Sequence, residues 1–455
     1  MLPTLTIGAF HIPSVCLSVT IASIAVADDY YPPALGEGRL VATDRSDAFL
    51  EPTGVLRRGV TIAASPPTID FLYYPGQEAD PGAQWSAWGD GFAVGSRYYS
   101  SIGDHRGHNG NSRVYEYDAA RKQLRMIVDL RTLLKMPSGH YMPGKIHSRI
   151  DRGSDGWLYF STYQGRTNAT TDEYHYKGDW IVRHRPGKGG AMGLTEVVSH
   201  APLAKHTFPA SVLDPERLIF YALTEPGASI RVAGKEGKQF IAYDVAARRL
   251  LYADAAGHSR YLIFAESTTR VYYRSKDNKR LLRFDPVLGR SVEAGGYIGL
   301  RSATREHHGV VYTVSHGGTL YSFDTATEQI AELGPAAVAQ ASYIPTLDAD
   351  PTGRYLYYMP NGPRSHEDGS PVVQYDLKTR RKKVIAFLFE FYADMYGYNA
   401  IDTFGLAVAP SGRTLYITLN GNRHAKGNRR FDTCALAVIH IPDSEVHADL
   451  DGLSP

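Results

Sequence analysis

A short motif, an apolar run that ends in an aromatic residue and an aspartate, recurs along the chain and limits the possible folds more than any other feature. Five close copies and two looser ones, WIVRHRP and LAVIHIPD, occupy residues 114–118, 180–186, 240–244, 281–285, 320–324, 372–376 and 436–443. Polar turn residues and another apolar segment follow, as in QLRMIVDL and KKVIAFL. The spacing of about 40 to 66 residues is typical of repeats that each form one small four-stranded sheet.

The fullest copy of the repeat, residues 144–166, combines GKIHSRI, a Ser-Asp-Gly turn and WLYFSTY, which together predict a β-hairpin. One small sheet cannot bury both of its faces, whereas seven sheets around an axis bury one another. We therefore predict an all-β fold, a seven-bladed β-propeller of four-stranded antiparallel blades. Six or eight blades and an array of β-sandwiches are the alternatives. The predicted blades are residues 84–130, 144–200, 208–257, 258–299, 300–339, 341–388 and 397–445.

The ends of the chain predict four segments. These are a signal peptide at 1–27, an N-terminal extension at 28–57, the propeller at 58–445 and a C-terminal tail at 446–455. An apolar run followed by Ala25-Val26-Ala27 fits an export signal, and a buried strand is the alternative because no Lys or Arg precedes the run. We expect a secreted or periplasmic protein. Residues 58–75 are the candidate for an outer strand that closes the ring, and residues 129–136 are the clearest helix candidate.

The charge balance argues against nucleic acid as a partner. The 455 residues carry a formal net charge of +2, and no basic cluster is interleaved with aromatic residues. The N-terminal apolar run is shorter than the ~20 residues of a spanning helix, so we expect no membrane span. We expect a monomer.

Aligning the repeats places polar residues in space. In a four-stranded blade, the loops after the second strands and those leading into the innermost strands lie on one face, here called the upper face. The second-strand ends bring His, Tyr and Arg to this face, with few carboxylates; the residues concerned are Asp104, His105, Arg106, Tyr163, Gln164, Arg166, Glu225, Lys276, His316, Asn361, Arg364, Asn420 and Arg423. The loops into innermost strands add His140, Tyr141, His147 and His206.

A rim of this composition suits one reaction better than others. Glycosidases usually need two carboxylates beside the scissile bond, and here only Asp104 and Glu225 suggest a pair. Histidine, tyrosine and arginine suit removal of the proton α to a carboxylate, followed by β-elimination. The predicted catalytic residues are His105, His147, Tyr163 and Arg166. The predicted substrate-binding residues are Asp104, Arg106, His108, Tyr141, Gln164, Arg183, His206, Tyr221, His316, Arg364 and Arg423.

Each candidate also has a structural explanation. His147 could be a hydrogen-bonded core histidine, Asp104 could close a turn, and Tyr221 could pack in the core. The predicted chemistry requires no cofactor. Four histidines on one face could instead ligate a structural or catalytic divalent metal, although no HxH or HxxxH spacing supports this.

Several motifs together carry a resemblance. WSAWGDG (85–91), IGDH (102–105), PGKIHSR (143–149) and DGWLYFSTYQG (155–165) resemble a group of secreted bacterial propeller proteins found in polysaccharide-degrading settings. More distantly, the chain resembles the seven-bladed propeller polysaccharide lyases, such as ulvan lyases and rhamnose–glucuronate lyases. That resemblance implies that His105 and His147 neutralise a carboxylate or transfer protons. It also implies Tyr163 as base and acid, and Arg166 or Arg183 as the carboxylate clamp.

The resulting hypothesis is a carbon–oxygen lyase that cleaves an acidic, uronate-containing polysaccharide or oligosaccharide by β-elimination. A glycoside hydrolase on the same scaffold and a non-catalytic propeller that binds glycan or protein are the alternatives.

Overall fold

The computed structural model describes residues 35, 39–80, 82–107, 109–188, 191–233, 239–255, 261–275, 279–362 and 365–446. The predicted signal peptide and all but the first residue of the predicted C-terminal tail lie outside the described residues. The same is true of three residues predicted on the upper face, namely His108, Lys276 and Arg364.

Seven sheets form the molecule, and their strands follow the chain from the innermost strand outwards. The first three strands, β1 (Ala42–Asp44), β2 (Val60–Ile62) and β3 (Thr68–Tyr73), belong to the last two blades. Blade 1 has a divided innermost strand and comprises β4 (Trp85–Ser86), β5 (Phe92–Val94), β6 (Arg97–Asp104), β7 (Ser112–Asp118) and β8 (Gln123–Asp129). Blade 2 comprises β9 (Asp151–Arg152), β10 (Leu158–Ser161), β11 (Trp180–Arg185) and β12 (Leu194–His200).

The remaining blades repeat this order. Blade 3 comprises β13 (His206–Asp214), β14 (Ile219–Pro226), β15 (Phe240–Asp244) and β16 (Arg249–Asp254). Blade 4 comprises β17 (Ile263–Ala265), β18 (Arg270–Arg274), β19 (Arg280–Asp285) and β20 (Arg290–Tyr297). Blade 5 comprises β21 (Ser302–Ala303), β22 (Val310–Val314), β23 (Thr319–Asp324) and β24 (Ile330–Pro335). Blade 6 comprises β25 (Leu347–Ala349), β26 (Tyr355–Tyr358), β27 (Pro371–Asp376) and β28 (Lys382–Phe387), and blade 7 contains β29 (Asn399–Val408), β30 (Thr414–Asn422) and β31 (Thr433–His440).

Strands from the N-terminal part of the chain complete the last two blades. β3 pairs antiparallel with β31, from Thr68 opposite His440 to Tyr73 opposite Ala435. This confirms that residues 58–75 supply the strand that closes the ring. β1 then adds a fifth strand outside β3, and β2 runs parallel to β28. Part of the expected N-terminal extension is therefore built into the sheets.

The aromatic–aspartate repeat is explained by the turns that follow the third strands. These turns lie on the lower face, opposite the upper one. All seven copies are third strands of their sheets, as the predicted seven-bladed fold requires. In five blades the Oδ1 atom of the final aspartate accepts two backbone N–H groups from the following turn; these residues are Asp118, Asp244, Asp285, Asp324 and Asp376. In these five blades, a short side chain with an acceptor oxygen is needed at the end of the third strand, because the two N–H groups of the turn would otherwise be unpaired.

Two local predictions need correction. GKIHSRI is irregular apart from an isolated bridge at Lys145, and the regular strand begins only after it, at Asp151–Arg152. Within the segment, the side chain of Ser148 replaces main-chain pairing. Its Oγ accepts from the Ser161 N–H at 2.9 Å and donates to the Ser161 carbonyl. The predicted helix at 129–136 is confirmed as α1 (Leu130–Leu134), but sequence reasoning missed α2 (Ala228–Val232) and α3 (Phe389–Tyr396). α3 was missed because its aromatic residues are typical of strands; they pack on Phe49 and Phe71.

Two asparagines predicted on the rim join neighbouring blades instead. Asn420 accepts from the Ala87 N–H at 2.6 Å and donates to the Ala87 carbonyl, which ties blade 7 to blade 1. Asn361 bonds the N–H and carbonyl of Thr403 in the same way, which ties blade 6 to blade 7. No helix among the residues described has the length and apolar character that crossing a bilayer demands.

An ion pair crosses the central channel. Arg305, which follows β21 in blade 5, donates to Asp151 of blade 2 at 2.5 Å and to the Ile150 carbonyl. Arg149 donates to the same buried carboxylate at 2.9 Å. Blades 2 and 5 are not neighbours in the ring, so this contact braces the channel below the upper face.

Replacing Asp151 with Ala should destabilise the protein strongly. The substitution leaves two arginines in the channel without their shared carboxylate, and loss of one partner from a buried ion pair typically costs about 3–5 kcal/mol. The free energy of unfolding in urea measures the effect. Asp172→Ala is the matched control, because Asp172 forms a solvent-exposed pair with Lys205 and should cost less than about 1 kcal/mol. Equal losses in the two variants would contradict the bracing role.

Candidate functional site

Trp88 is the centre of a cluster of side chains at the upper end of the channel. The ring centroid of Trp88 lies 5.7 Å from that of His105, 5.9 Å from that of His147 and 4.8 Å from that of Phe404. The Lys145 Nζ atom lies 4.1 Å from the Trp88 ring centroid and 5.7 Å from that of Tyr163. His147 and Tyr163 are 5.2 Å apart between centroids. We call this cluster the mouth; it consists of Trp88, His105, Lys145, His147, Tyr163 and Phe404.

The backbone explains why these side chains meet. Lys145 and Tyr163 exchange two main-chain hydrogen bonds of 3.0 and 2.8 Å, which hold the start of the innermost segment of blade 2 against the end of its second strand. Blade 1 approaches this point very closely. A Cβ atom on Gly144 would lie 2.3 Å from the Asp104 carbonyl oxygen, so only glycine fits there. The PGKIHSR motif thus needs its glycine to bring blades 1 and 2 together.

The two histidines of the mouth present the same ring nitrogen to the backbone. The Nδ1 atom of His105 lies 2.7 Å from the Gln84 carbonyl, and that of His147 lies 2.7 Å from the Pro209 carbonyl. A carbonyl only accepts, so Nδ1 carries the proton in both rings and Nε2 is an acceptor while the ring is neutral. Burial, with a smaller contribution from the Lys145 charge, lowers the pKa of His105 to about 4. His105 is therefore a neutral acceptor at neutral pH.

Tyr163 is joined to a carboxylate. Its hydroxyl donates to Glu225 Oε2 at 2.9 Å, and Gln164 Nε2 donates to the same hydroxyl at 3.3 Å. Tyr163 and Gln164 are buried, whereas Glu225 is half-buried. A phenol between an amide donor and a carboxylate can pass its proton to the carboxylate as it accepts another.

Sequence reasoning missed two cations of this region, Lys145 and Arg301. Arg301 as a whole residue is 8 % exposed. Its guanidinium carbon lies 5.7 Å from the Phe404 ring centroid, and its Nε donates to the Tyr343 hydroxyl at 2.5 Å. The His316 ring lies against Tyr343, with 5.0 Å between centroids. Both cations could have been predicted from the sequence, because each lies in a loop that leads into an innermost strand. His147 was predicted from a loop of this kind.

The structure places His105, His147 and Tyr163 together and sets other predicted residues apart. Asp104 closes a turn, because its Oδ1 accepts from the backbone N–H groups of Gln84 and Gly107. Arg106 is exposed, with its guanidinium 3.5 Å from the Gln84 side chain. The structural explanation of Asp104 is therefore the better one.

Three further candidates lie away from the mouth. The Tyr141 hydroxyl is fully buried and donates to Asp179 at 3.0 Å. Tyr221 packs between blades 3 and 4 against Phe240 and Phe264 with no measurable exposure, so it cannot contact a substrate. Arg183 lies on β11, where it pairs with Glu196 at 2.6 Å and stacks on Trp157. Tyr141 and Arg183 have polar partners on or beside a neighbouring strand, and Tyr221 packs between two sheets, so none of the three side chains reaches the rim.

The last three described candidates lie on the upper face outside the mouth cluster. The buried His206 ring bonds the Ala204 carbonyl at 2.7 Å, and burial lowers its pKa. Arg423 covers the Tyr73 ring at the outer side of blade 7, and Arg166 lines a separate cleft described below. The sequence predicted the face of these residues but not their distance from the axis.

Within the described ranges, the side chains do not fit a metal centre. No group of three His, Cys, Asp or Glu residues there could hold an ion. The two mouth histidines direct Nδ1 to carbonyls, and Glu225 accepts the Tyr163 proton. We therefore derive no chemical step through a metal.

Asp402, buried at the start of the innermost strand of blade 7, should make stability depend on pH. Burial raises its pKa to about 7, although Gly362 and Ser365 donate hydrogen bonds to it. The native state keeps this proton up to about pH 7, whereas an unfolded aspartate loses it near 4, so the stabilising contribution is lost as pH rises from about 4 to 7. Asp402→Asn should raise the free energy of unfolding by about 2 kcal/mol more at pH 8 than at pH 5. Urea titrations at both values test this, and an equal change at both would contradict it.

Comparisons with known proteins support the fold and go no further. No protein-family model matches the chain, and no curated protein matches it in sequence. Among solved structures, an oligogalacturonate lyase in complex with manganese matches with a TM-score of 0.51 and 11% identity, over 90% of this chain and 99% of that one. The WD40 repeats of RRP9 match with a TM-score of 0.48 and 10% identity, over 85% and 100% of the two chains. U3-55K matches with a TM-score of 0.46 and 10% identity, over 79% and 97%.

Proposed function

We propose that this protein is a polysaccharide lyase that cleaves a uronate-containing glycan by β-elimination at the mouth. One observation carries the proposal: a cation, two histidines and a carboxylate-linked tyrosine surround a single tryptophan at the end of the channel. Trp88 offers an aromatic surface to a sugar ring, and Lys145 beside it offers a positive charge to that sugar's carboxylate. The similarity to an oligogalacturonate lyase supports the propeller scaffold, and the argument for function comes from the side chains of the mouth.

The mouth residues can divide the reaction among them. Tyr163 removes the hydrogen on the carbon α to the carboxylate while its own proton moves to Glu225. The electron pair forms a carbon–carbon double bond, and the bond from the β carbon to the glycosidic oxygen breaks. Tyr163 then protonates the leaving oxygen and recovers its proton from Glu225. The elimination consumes neither water nor an external oxidant.

Lys145 and Arg301 would stabilise the charge that develops during this step. Removal of the α-proton turns the carboxylate into an enolate-like dianion, which fixed cations stabilise more than they stabilise the ground state. His105 and His147 accept hydrogen bonds at Nε2 from sugar hydroxyl groups while neutral. A glycosidase has less support, since Glu225 is engaged with the Tyr163 hydroxyl and Asp104 accepts backbone N–H groups in a turn, which leaves neither carboxylate placed as one of a catalytic pair.

A screen of the purified protein against uronate polysaccharides tests the proposal. Each incubation is followed by near-ultraviolet absorbance, which reports the unsaturated uronate, and by a reducing-end assay. We expect both signals to rise together with wild-type protein and both to be absent with His147→Ala. New reducing ends without ultraviolet absorbance would favour a hydrolase, and binding without either signal would favour a non-catalytic propeller.

A further inference from the structure

A second basic cleft lies beside the mouth on the upper face. It is lined by Arg166, Thr167, Asn168, Ala228, Arg231 and Val232. The lining combines two guanidinium groups, a hydroxyl and an amide with two apolar side chains, Ala228 and the 88% exposed Val232. This combination suits an acidic sugar, because arginine binds a carboxylate through paired N–H donors while small apolar side chains contact the C–H face of the ring.

Hydrogen bonds through the buried side chain of Gln164 connect the mouth to the segments that line the cleft. Its Nε2 donates to the Tyr163 hydroxyl in the mouth, and its Oε1 accepts from Thr170 at 3.4 Å behind the cleft. Thr170 Oγ1 in turn accepts from the Ala228 N–H at 2.8 Å, so it fixes α2 against the loop that carries Arg166. Gln164 and Thr170 therefore connect the two sites.

A second connection runs through Glu225. The residue after it, Pro226, accepts a 2.7 Å hydrogen bond from Arg231 through its carbonyl. This bond uses one of the five N–H donors of that guanidinium and holds the side chain beside the start of α2. Glu225, which accepts the Tyr163 proton, and Pro226, which anchors Arg231 of the cleft, are thus neighbours in the chain.

The channel favours a substrate path across the face rather than along the axis. The pair between Arg305 and Asp151 crosses the channel below the mouth. A glycan that fills the mouth must therefore continue over the upper face, and the cleft beside Gln164 lies on such a path.

We propose that the Arg166–Arg231 cleft is a second subsite that binds the carboxylate of another uronate in the same glycan. The inference rests on the proposed function, since it assigns that glycan to the cleft. It makes the protein selective for oligomers with several acidic sugars, because a disaccharide that fills the mouth leaves the cleft empty.

The test compares di- and hexagalacturonate as probes in the Tyr163→Phe background, where turnover is slowed and the mouth keeps its contacts with the sugar, and binding is measured by calorimetry. Arg166→Ala/Arg231→Ala should weaken hexamer binding at least about 10-fold, the effect of roughly one lost charge-assisted hydrogen bond, and leave dimer binding unchanged. The control Arg121→Ala/Arg217→Ala removes two lower-face arginines that pair with Asp118 and Asp214. It should change neither affinity.

Three outcomes would overturn the subsite. They are unchanged hexamer affinity, equal weakening for dimer and hexamer, and no binding of the hexamer to the parent protein. Failure of the proposed reaction looks different: the hexamer still binds through the two arginines, but wild-type protein forms no unsaturated product from it.

Discussion

Replacing Tyr163 with Phe should lower kcat at least about 100-fold, the lower end of what a positioned proton-transfer group contributes. The ring, its contact with His147 and its place under Lys145 all remain, so substrate binding should change little. Only the hydroxyl between Glu225 and the reacting carbon is lost. Steady-state kinetics on the uronate glycan, with KM and kcat determined separately, measure the effect.

Tyr159→Phe is the matched control for this variant. Tyr159 lies on β10, the strand that leads to Tyr163, but its hydroxyl donates to Asp155 at 2.7 Å in the lower-face turn. Its removal should leave kcat unchanged. Loss of activity in both variants would show that the strand, rather than the Tyr163 hydroxyl, is responsible, and full activity in Tyr163→Phe would remove Tyr163 from the reaction.

Replacing Lys145 and Arg301 with Met should lower kcat/KM by about 100- to 1,000-fold for each residue, comparable to the loss of one donor that stabilises a developing oxyanion. Methionine keeps the aliphatic bulk of both side chains, so the rings of Trp88 and Phe404 keep their packing. The loss should be larger in kcat than in KM, because the charge on the substrate grows in the transition state.

The control for charge alone is Lys378→Met. Lys378 is exposed in the turn after β27 on the lower face, and its removal changes the net charge by the same amount as removal of Lys145. Its kinetics should match the wild-type protein at each salt concentration. A uniform rise in KM with unchanged kcat in the Lys145 and Arg301 variants would instead assign these cations to ground-state binding.

The fold could be predicted because its signals are local and repeated. In five blades an aspartate is the acceptor in the turn after the third strand, so the residue recurs at a fixed place, and the order of the strands determines which loops share a face. The approximate positions of His105, His147 and Tyr163 follow from that topology. Their proximity in space needed no knowledge of side-chain contacts.

The remaining part of the candidate site depends on contacts that the repeat does not encode. Arg183 was interpreted as a carboxylate clamp, but Glu196 lies beside it on the next strand and pairs with it. Tyr141 carries a hydroxyl in a loop of the correct face, yet it turns inward because Asp179 is buried there. Lys145 was overlooked because a single lysine within PGKIHSR follows no pattern in the sequence. Its importance is visible only from its contact with the Trp88 ring.

Mass spectrometry of the first products formed from an intact uronate oligosaccharide tests the assignment of the mouth most directly. Elimination adds no water, so the masses of the two fragments should sum to that of the substrate, and one fragment should carry the new double bond. Fragments that together exceed the substrate by one water would mean hydrolysis, and would contradict a mouth built for removal of the α-proton.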